Sequence, residues 1–241
     1  MSRDQERASL LYADVGVDST RVGIAGDHEE SSLSGLLSHV RRSFTLRSGP
    51  GSPLLPLGYF ANVLDLGHGL GLAISTDGVG TKILIAQMME RYDTVGIDCV
   101  AMNVNDVVCV GAEPIAMTDY LAVQVPDPAL LTEIGKGLLD GARLAGVTIP
   151  GGELAQVPDM VHGVSDGHAF DLVGTCVGIV PTDRILVGDD VEEHDLVIGL
   201  ASSGIHSNGL TLARRALLDR SGTSINSYVP ELGRTVGEEL L

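Results

Sequence analysis

Carboxylates and amides stand among apolar residues between positions 75 and 114. An apolar run, Gly71-Leu72-Ala73-Ile74, ends at Ser75-Thr76-Asp77; a glycine turn follows at Gly78-Val79-Gly80; Thr81 and Lys82 then open an amphipathic helix. A second helical run over 95–110 carries Asp98, Asn103, Asn105 and Asp106 in otherwise apolar company. An ionised carboxylate in such surroundings is costly unless it is paired or bound to a metal. Asp77 and Asp106 therefore predict a cation site. Oxygen ligands without thiolates select Mg²⁺, which is ordinarily held by one or two carboxylates and substrate phosphates. A glycine turn that opens a helix suits an anion, because free N–H groups and the positive end of the helix dipole face it. Lys82 adds a point charge. Taken singly, Asp77 is a turn residue and Asp106 a satisfied core acid; the set together predicts a site for Mg²⁺ and a nucleotide.

Two later segments repeat the theme. Val147-Thr148-Ile149 reads as a short strand that ends at Pro150-Gly151-Gly152-Glu153, which puts an acid where a strand end meets a ligand. Its plainer reading is a turn with an exposed Glu. Leu196 to Ala201 reads as a buried strand, followed by Ser202–Gly209 and a helix from Leu210 to Leu218. Ser203, His206, Ser207, Asn208 and the backbone N–H groups there form a candidate anion or substrate site. His206 is a proton carrier or a polar anchor, its ordinary pKa lying near neutrality; Ser and Asn are equally good helix caps.

The remaining elements have to position these groups. Apolar residues at Leu33, Leu36, Leu37, Val40 and Phe44 fall at helical spacing. Gly67-His68-Gly69-Leu70-Gly71 precedes a strand, so it reads as a hairpin turn rather than a phosphate loop. Glu113–Val125 and Phe170–Val180 read as strands, and Ala129–Ala145 as a helix with Gly146 just past its end. The acidic stretch from Asp183 to Glu193 reads as a boundary between a domain of residues 1–182 and a partial second α/β domain of residues 183–241.

Composition narrows the function classes. The chain has 241 residues, 44% hydrophobic and 3% aromatic with no Trp, so its core is aliphatic and it lacks base-stacking platforms. Its net charge of −17 repels nucleic acid and anionic membrane. Lys82 and Lys136 are the only lysines, so phosphates must be met by Mg²⁺, helix N-termini and few basic groups. Cys99, Cys109 and Cys176 show no metal-binding or redox spacing and read as buried thiols of a reduced cytoplasmic protein.

The segments from Ser75 to Lys82, from Gly96 to Pro114, from Gly151 to Glu153 and from Ser202 to Gly209 resemble, in order, those of the aminoimidazole ribonucleotide synthetase (phosphoribosylformylglycinamidine cyclo-ligase) family. The resemblance runs from about Tyr12 onward. It departs at Tyr59 and Phe60, where another glycine is expected beside Gly58, and at Leu154-Ala155-Gln156 after Glu153. It implies a PurM-like first domain with a mixed α+β sheet, forming a barrel shared by a homodimer through strands at 72–75, 115–125 and 170–180. It implies ATP-dependent closure of formylglycinamidine ribonucleotide. Asp77, Asp106 and Glu153 would hold Mg²⁺; Thr76, Gly78, Val79, Gly80, Thr81, Lys82, Asn105, Gly151 and Gly152 would face the nucleotide; Ser203, His206, Ser207 and Asn208 would face the substrate. Asp14 and Asp18, near the nucleotide in that family, read as turn acids here. Alternatives are another ATP enzyme of the superfamily (formylglycinamidine synthetase or thiamine-phosphate kinase) and a non-catalytic nucleotide-binding or dimerisation module.

Overall fold

The computed structural model describes residues 33–241, so Tyr12, Asp14 and Asp18 lie outside the described residues. Five strands form one mixed sheet: β1 (Asn62–Gly67), β2 (Leu70–Gly78), β3 (Glu113–Val123), β4 (Thr148–Gln156) and β5 (Phe170–Pro181), in the order β1-β2-β5-β3-β4. All neighbours are antiparallel except β3 and β4, which run parallel. Antiparallel partners need only a tight turn, whereas the parallel pair needs a helical crossover. β1 and β2 are joined by His68 and Gly69 at φ +56° and +76°, the paired left-handed conformation that suits strand twist. β3 and β4 are joined by α4 (Pro128–Ala145), with Pro128 in its first turn and Asp127 capping the N–H groups of Ala129 and Leu130 at 2.9 and 2.8 Å.

The α/β expectation holds, and two boundaries move. β4 does not stop at Ile149 but continues through Pro150-Gly151-Gly152-Glu153. It is the last strand of the sheet, and an edge strand tolerates Pro and Gly that an interior strand would not. Leu196–Ala201 is not a buried strand: Leu196, Val197, Ile198 and Leu200 are 92, 98, 83 and 93% exposed. A strand needs a partner edge, and among the described residues none pairs with this run.

One face of the sheet is covered by helix α3 (Val95–Cys109), with α4 packed on its far side. Alternation puts Ala73, Ser75, Met117, Leu172 and Cys176 on that face, all buried. Helix and sheet approach so closely that a Cβ on Gly174 of β5 would lie 2.5 Å from Asn103 Nδ2. The other face carries Leu70, Ile74 and Tyr120, each more than a third exposed. Helix α1 (Ser34–Ser43) stands where its apolar spacing predicts it but buries none of its residues.

Helix α2 (Lys82–Met89) follows β2 and anchors the C-terminal region. Ile85 of α2 packs with Leu210 of α5 (Leu210–Arg214) and with Val236 and Leu240 of α6 (Val236–Leu240). The expected helix over 210–218 is thus a short α-helix continued by a wider turn at Arg215–Arg220. Cys99 and Cys176 are buried as expected, and burial pushes their thiols up to about 12 and about 11; Cys109 is exposed, contrary to expectation. Among the described residues no helix is long and apolar enough to cross a membrane.

Gly174→Ala is expected to destabilise the fold by about 1–3 kcal/mol, since the Met117 side chain and the Asn103 amide have to move to admit one methyl group. Urea unfolding of the variant beside the parent chain measures it.

Candidate functional site

Helix α3 meets strand β2 along a stripe formed by Cys99, Asn103 and Asp106, one or two turns apart. Asn103 is fully buried and clamps the end of β2. Its Oδ1 accepts the Asp77 N–H at 2.9 Å, and its Nδ2 donates to the carbonyls of Asp77 at 3.1 Å and Cys99 at 2.9 Å. A turn further on, Asp106 Oδ2 accepts the Ser75 hydroxyl at 2.8 Å. Asp77 and Asp106 thus sit on the same side of the sheet, near enough for each charge to act on the other. Burial pushes the Asp106 carboxyl above its ordinary range; the Ser75 hydrogen bond offsets part of this, and the Asp77 charge adds to it.

Two fixed, mutually repelling carboxylates fit a hard dication that takes its other ligands from water and phosphate. Among the described residues no group of three His, Cys, Asp or Glu is placed to hold a metal, so a third protein ligand is not brought to this pair. Glu153 is not on the same face of the sheet as this pair. Asp77 lies in a transverse row with Gly174, Asp119 and Gly152, whereas Glu153 pairs with Tyr120. Successive residues of a strand face opposite ways, so Glu153 belongs to the other face of the sheet, exposed beside Gly151.

Asp119 is the acid that shares the row and face of Asp77. Its carboxylate lies over Gly152, where a side chain on Gly152 would collide with it. Burial holds the Asp119 carboxyl above its usual range. Strand parity in Met117-Thr118-Asp119-Tyr120-Leu121 would have revealed it, because Asp119 shares the phase of buried Met117 and Leu121.

The glycine turn presents fewer amides than its sequence suggests. The Gly78 N–H donates to Asp77 Oδ1 at 2.8 Å and the Val79 N–H to the Leu172 carbonyl at 3.0 Å. Among the described residues, the N–H groups of Gly80, Thr81 and Lys82 have no acceptor, and no side chain caps α2. Gly80, at φ +69°, is the residue whose left-handed backbone swings these three amides to the start of the helix. The open amides are therefore those of 80–82 rather than 78–80. Val79 is core, 1% exposed. Thr76 lies on the outer face, its hydroxyl 2.9 Å from that of Thr175, and Asn105 is on the exposed flank of α3.

Lys82 is placed differently from expectation. Its ammonium sits 2.9 Å from Asp98 Oδ1, with side chains only 6 and 16% exposed, so its charge is matched within the protein. Burial raises the Asp98 carboxyl above its ordinary range, and Lys82 pulls it back. The Ser207 hydroxyl donates to the same oxygen at 3.4 Å. A cavity of about 260 Å³ opens beside this pair, lined by Lys82, Asp98, Ser203, His206 and Glu238 among others. His206 Nε2 is 2.9 Å from Ser202 Oγ, and both residues are exposed. Ser207 is buried and Asn208 is exposed, outside the cavity lining.

A strand, a left-handed glycine and a helix with open amides stand beside two carboxylates on the mixed sheet of an α/β protein. Residues 58–180 match the family model described as AIR synthase related protein, N-terminal domain, and the chain belongs to that family. It is 46% identical over 232 residues to the phosphoribosylformylglycinamidine cyclo-ligase of Methanobrevibacter smithii, an alignment covering 96% of this chain and 63% of that protein. The enzyme of the same name from Methanothermobacter thermautotrophicus is 49% identical over 232 residues, with the same coverage. That from Thermococcus gammatolerans is 47% identical over 214 residues, 88% of this chain and 60% of the relative. The chain thus spans a little over three-fifths of the length of these relatives at most.

Because its pKa is raised in the fold, Asp106 on its own account makes the protein less stable as pH rises above the ordinary carboxylate range. A cation needs the ionised form. Mg²⁺ at about 10 mM should therefore raise Tm more at about pH 8 than at about pH 5. Thermal scans with and without the ion at each pH check this, and Asp106→Asn should remove the difference.

Proposed function

We propose that this chain binds Mg·ATP and takes part in the ATP-dependent ring closure of formylglycinamidine ribonucleotide to aminoimidazole ribonucleotide. The observation that carries the reading is the juxtaposition of the open amides of Gly80, Thr81 and Lys82 with the carboxylates of Asp77 and Asp106. It is joined to the high identity with enzymes named for that reaction.

The chemistry explains the parts. An amide oxygen is a poor leaving group, so the γ-phosphoryl group is transferred to it; the amidine nitrogen then attacks the activated carbon and phosphate departs. Phosphoryl transfer asks a protein for position and charge balance more than for a nucleophile. Asp77 and Asp106 would hold Mg²⁺, which when bound neutralises charge on the transferring phosphate. The amides of 80–82 orient phosphate oxygens without bringing in a competing positive side chain. Asn103 keeps Asp77 in register with Asp106. Ser203 and His206, in the cavity beside Lys82, face the substrate, with His206 holding or moving a proton. The proposal leaves Glu153 and Thr76 out of the nucleotide site, because both lie on the outer face of the sheet.

A second reading is a nucleotide-binding and dimerisation module without turnover, in which the bare outer sheet face, with Ile74 36% and Tyr120 42% exposed, carries the dimer contact. A second copy of the chain covering that face is part of both readings. Residues 183–241 then belong to a further unit beside the sheet domain, and the protein acts in the cytoplasm.

Given formylglycinamidine ribonucleotide and Mg·ATP, the purified chain is expected to form aminoimidazole ribonucleotide. Binding of Mg·ATP by calorimetry without product supports the second reading, and absence of binding overturns both. Asp106→Ala should lower turnover at least about 100-fold with the fold retained, whereas His206→Ala should lower turnover far more than affinity for Mg·ATP. Equal loss of both would make His206 a structural residue. In sedimentation the chain should run as a dimer at micromolar concentration, and Tyr120→Arg should convert it to a monomer.

A further inference from the structure

Asp98 belongs neither to the cation pair nor to the amide row, yet it lies between the two loops the proposed function needs. Its Oδ1 receives the Lys82 ammonium at 2.9 Å from one side and the Ser207 hydroxyl at 3.4 Å from the other. Lys82 is the first residue of α2, so its own N–H is one of the open amides while its side chain reaches back to α3. Ser207 is 6% exposed and neighbours His206 in the cavity-lining loop. Just past the second loop, the Thr211 hydroxyl of α5 lies 3.0 Å from that of Thr81 at the head of α2. Asp98 is the acid in this junction, and its side chain, like that of Lys82, is largely withdrawn from water.

We propose that Asp98 is a positioning residue: one carboxylate oxygen fixes Lys82 at the head of α2 and docks the 202–209 loop against it, so that the phosphate cradle and His206 are held as one unit. Removing either partner of a buried ion pair leaves an uncompensated charge, which is far more disruptive than removing both. Asp98→Asn therefore frees the Lys82 ammonium to swing toward solvent and loosens the Ser207 contact. Asp98→Glu keeps the charge and restores much of the arrangement. The catalytic significance of this junction rests on the nucleotide reading given above; the junction itself does not.

The scarcity of lysine makes the test clean. Lys82 and Lys136 are the only two, and Lys136 is exposed on α4. Trace acetylation with N-acetoxysuccinimide, followed by peptide mass spectrometry, gives the Lys82-to-Lys136 labelling ratio. That ratio should be low in the parent chain, rise about tenfold in Asp98→Asn as the buried pair is broken, and stay near the parent value in Asp98→Glu. Amide exchange at 203–208 should quicken in Asp98→Asn and, less, in Ser207→Ala. Val63→Ala, in β1 away from α3, serves as the destabilised control, since general loosening of the fold would raise labelling and exchange there too. Unchanged Lys82 labelling in a folded Asp98→Asn, unchanged exchange at 203–208, or equal changes in a control of matched stability would overturn the proposal. The affinity for Mg·ATP should also fall about tenfold in Asp98→Asn and be largely kept in Asp98→Glu. If the parent chain binds no nucleotide, the nucleotide reading fails while labelling and exchange still decide the role of Asp98.

Discussion

The structure depends on how closely α3 lies against the sheet. Gly174 has no side chain, and into that space goes the amide of Asn103, which takes hold of the backbone of β2 at Asp77 in both directions. A buried amide has to satisfy its donors and acceptors, and here a strand end and a turn of its own helix satisfy it. The geometry of the carboxylate pair follows. Asp77 cannot move along its strand without breaking two hydrogen bonds, and Asp106 is carried one turn from Asn103 on a helix that cannot rotate. A more distant helix filled with aliphatic side chains would build an equally stable core, but nothing in it would fix where the acids point.

Electrostatically the protein handles anions sparingly. Its surplus of negative charge works against phosphate at long range, and its buried lysine is already matched by Asp98. In the function proposed above, attraction comes from close by, from backbone dipoles and from a cation that the two acids would recruit. Such a site discriminates by coordination and by amide geometry rather than by a broad positive field. A free phosphate without its metal should find little to hold it here.

The sequence is legible where local chemistry dictates local structure. The strand–turn–helix through Ser75 to Lys82, the hairpin at His68-Gly69 and the capped helix after Asp127 all stand where their residues imply, because each signal is a backbone requirement met within a few positions. The failures are all matters of which face or which partner. Glu153 looked like an acid at the end of a strand because Pro150 and the glycines mimic a turn; in an edge strand they are tolerated, and a single residue of strand decides which face a side chain takes. Lys82 looked free because its carboxylate partner is sixteen positions away on another helix. Leu196–Leu200 looked buried because an apolar run says that a segment wants a partner but not whether one is at hand.

That run has a colloidal consequence. Four large, exposed aliphatic side chains in a run outside any strand or helix form a patch onto which another chain can add. Just before it stand Asp189, Asp190, Glu192, Glu193 and Asp195. Acids flanking an apolar run act as gatekeepers, since stacking copies in register would bring all these charges within a few ångströms of one another. The protection is purely coulombic and therefore as short-ranged as the Debye length allows, about 30 Å in dilute buffer and about 3 Å near molar salt. Conditions that screen charge would remove the guard from this segment first, so its solubility is governed by ionic strength well before the folded sheet is affected.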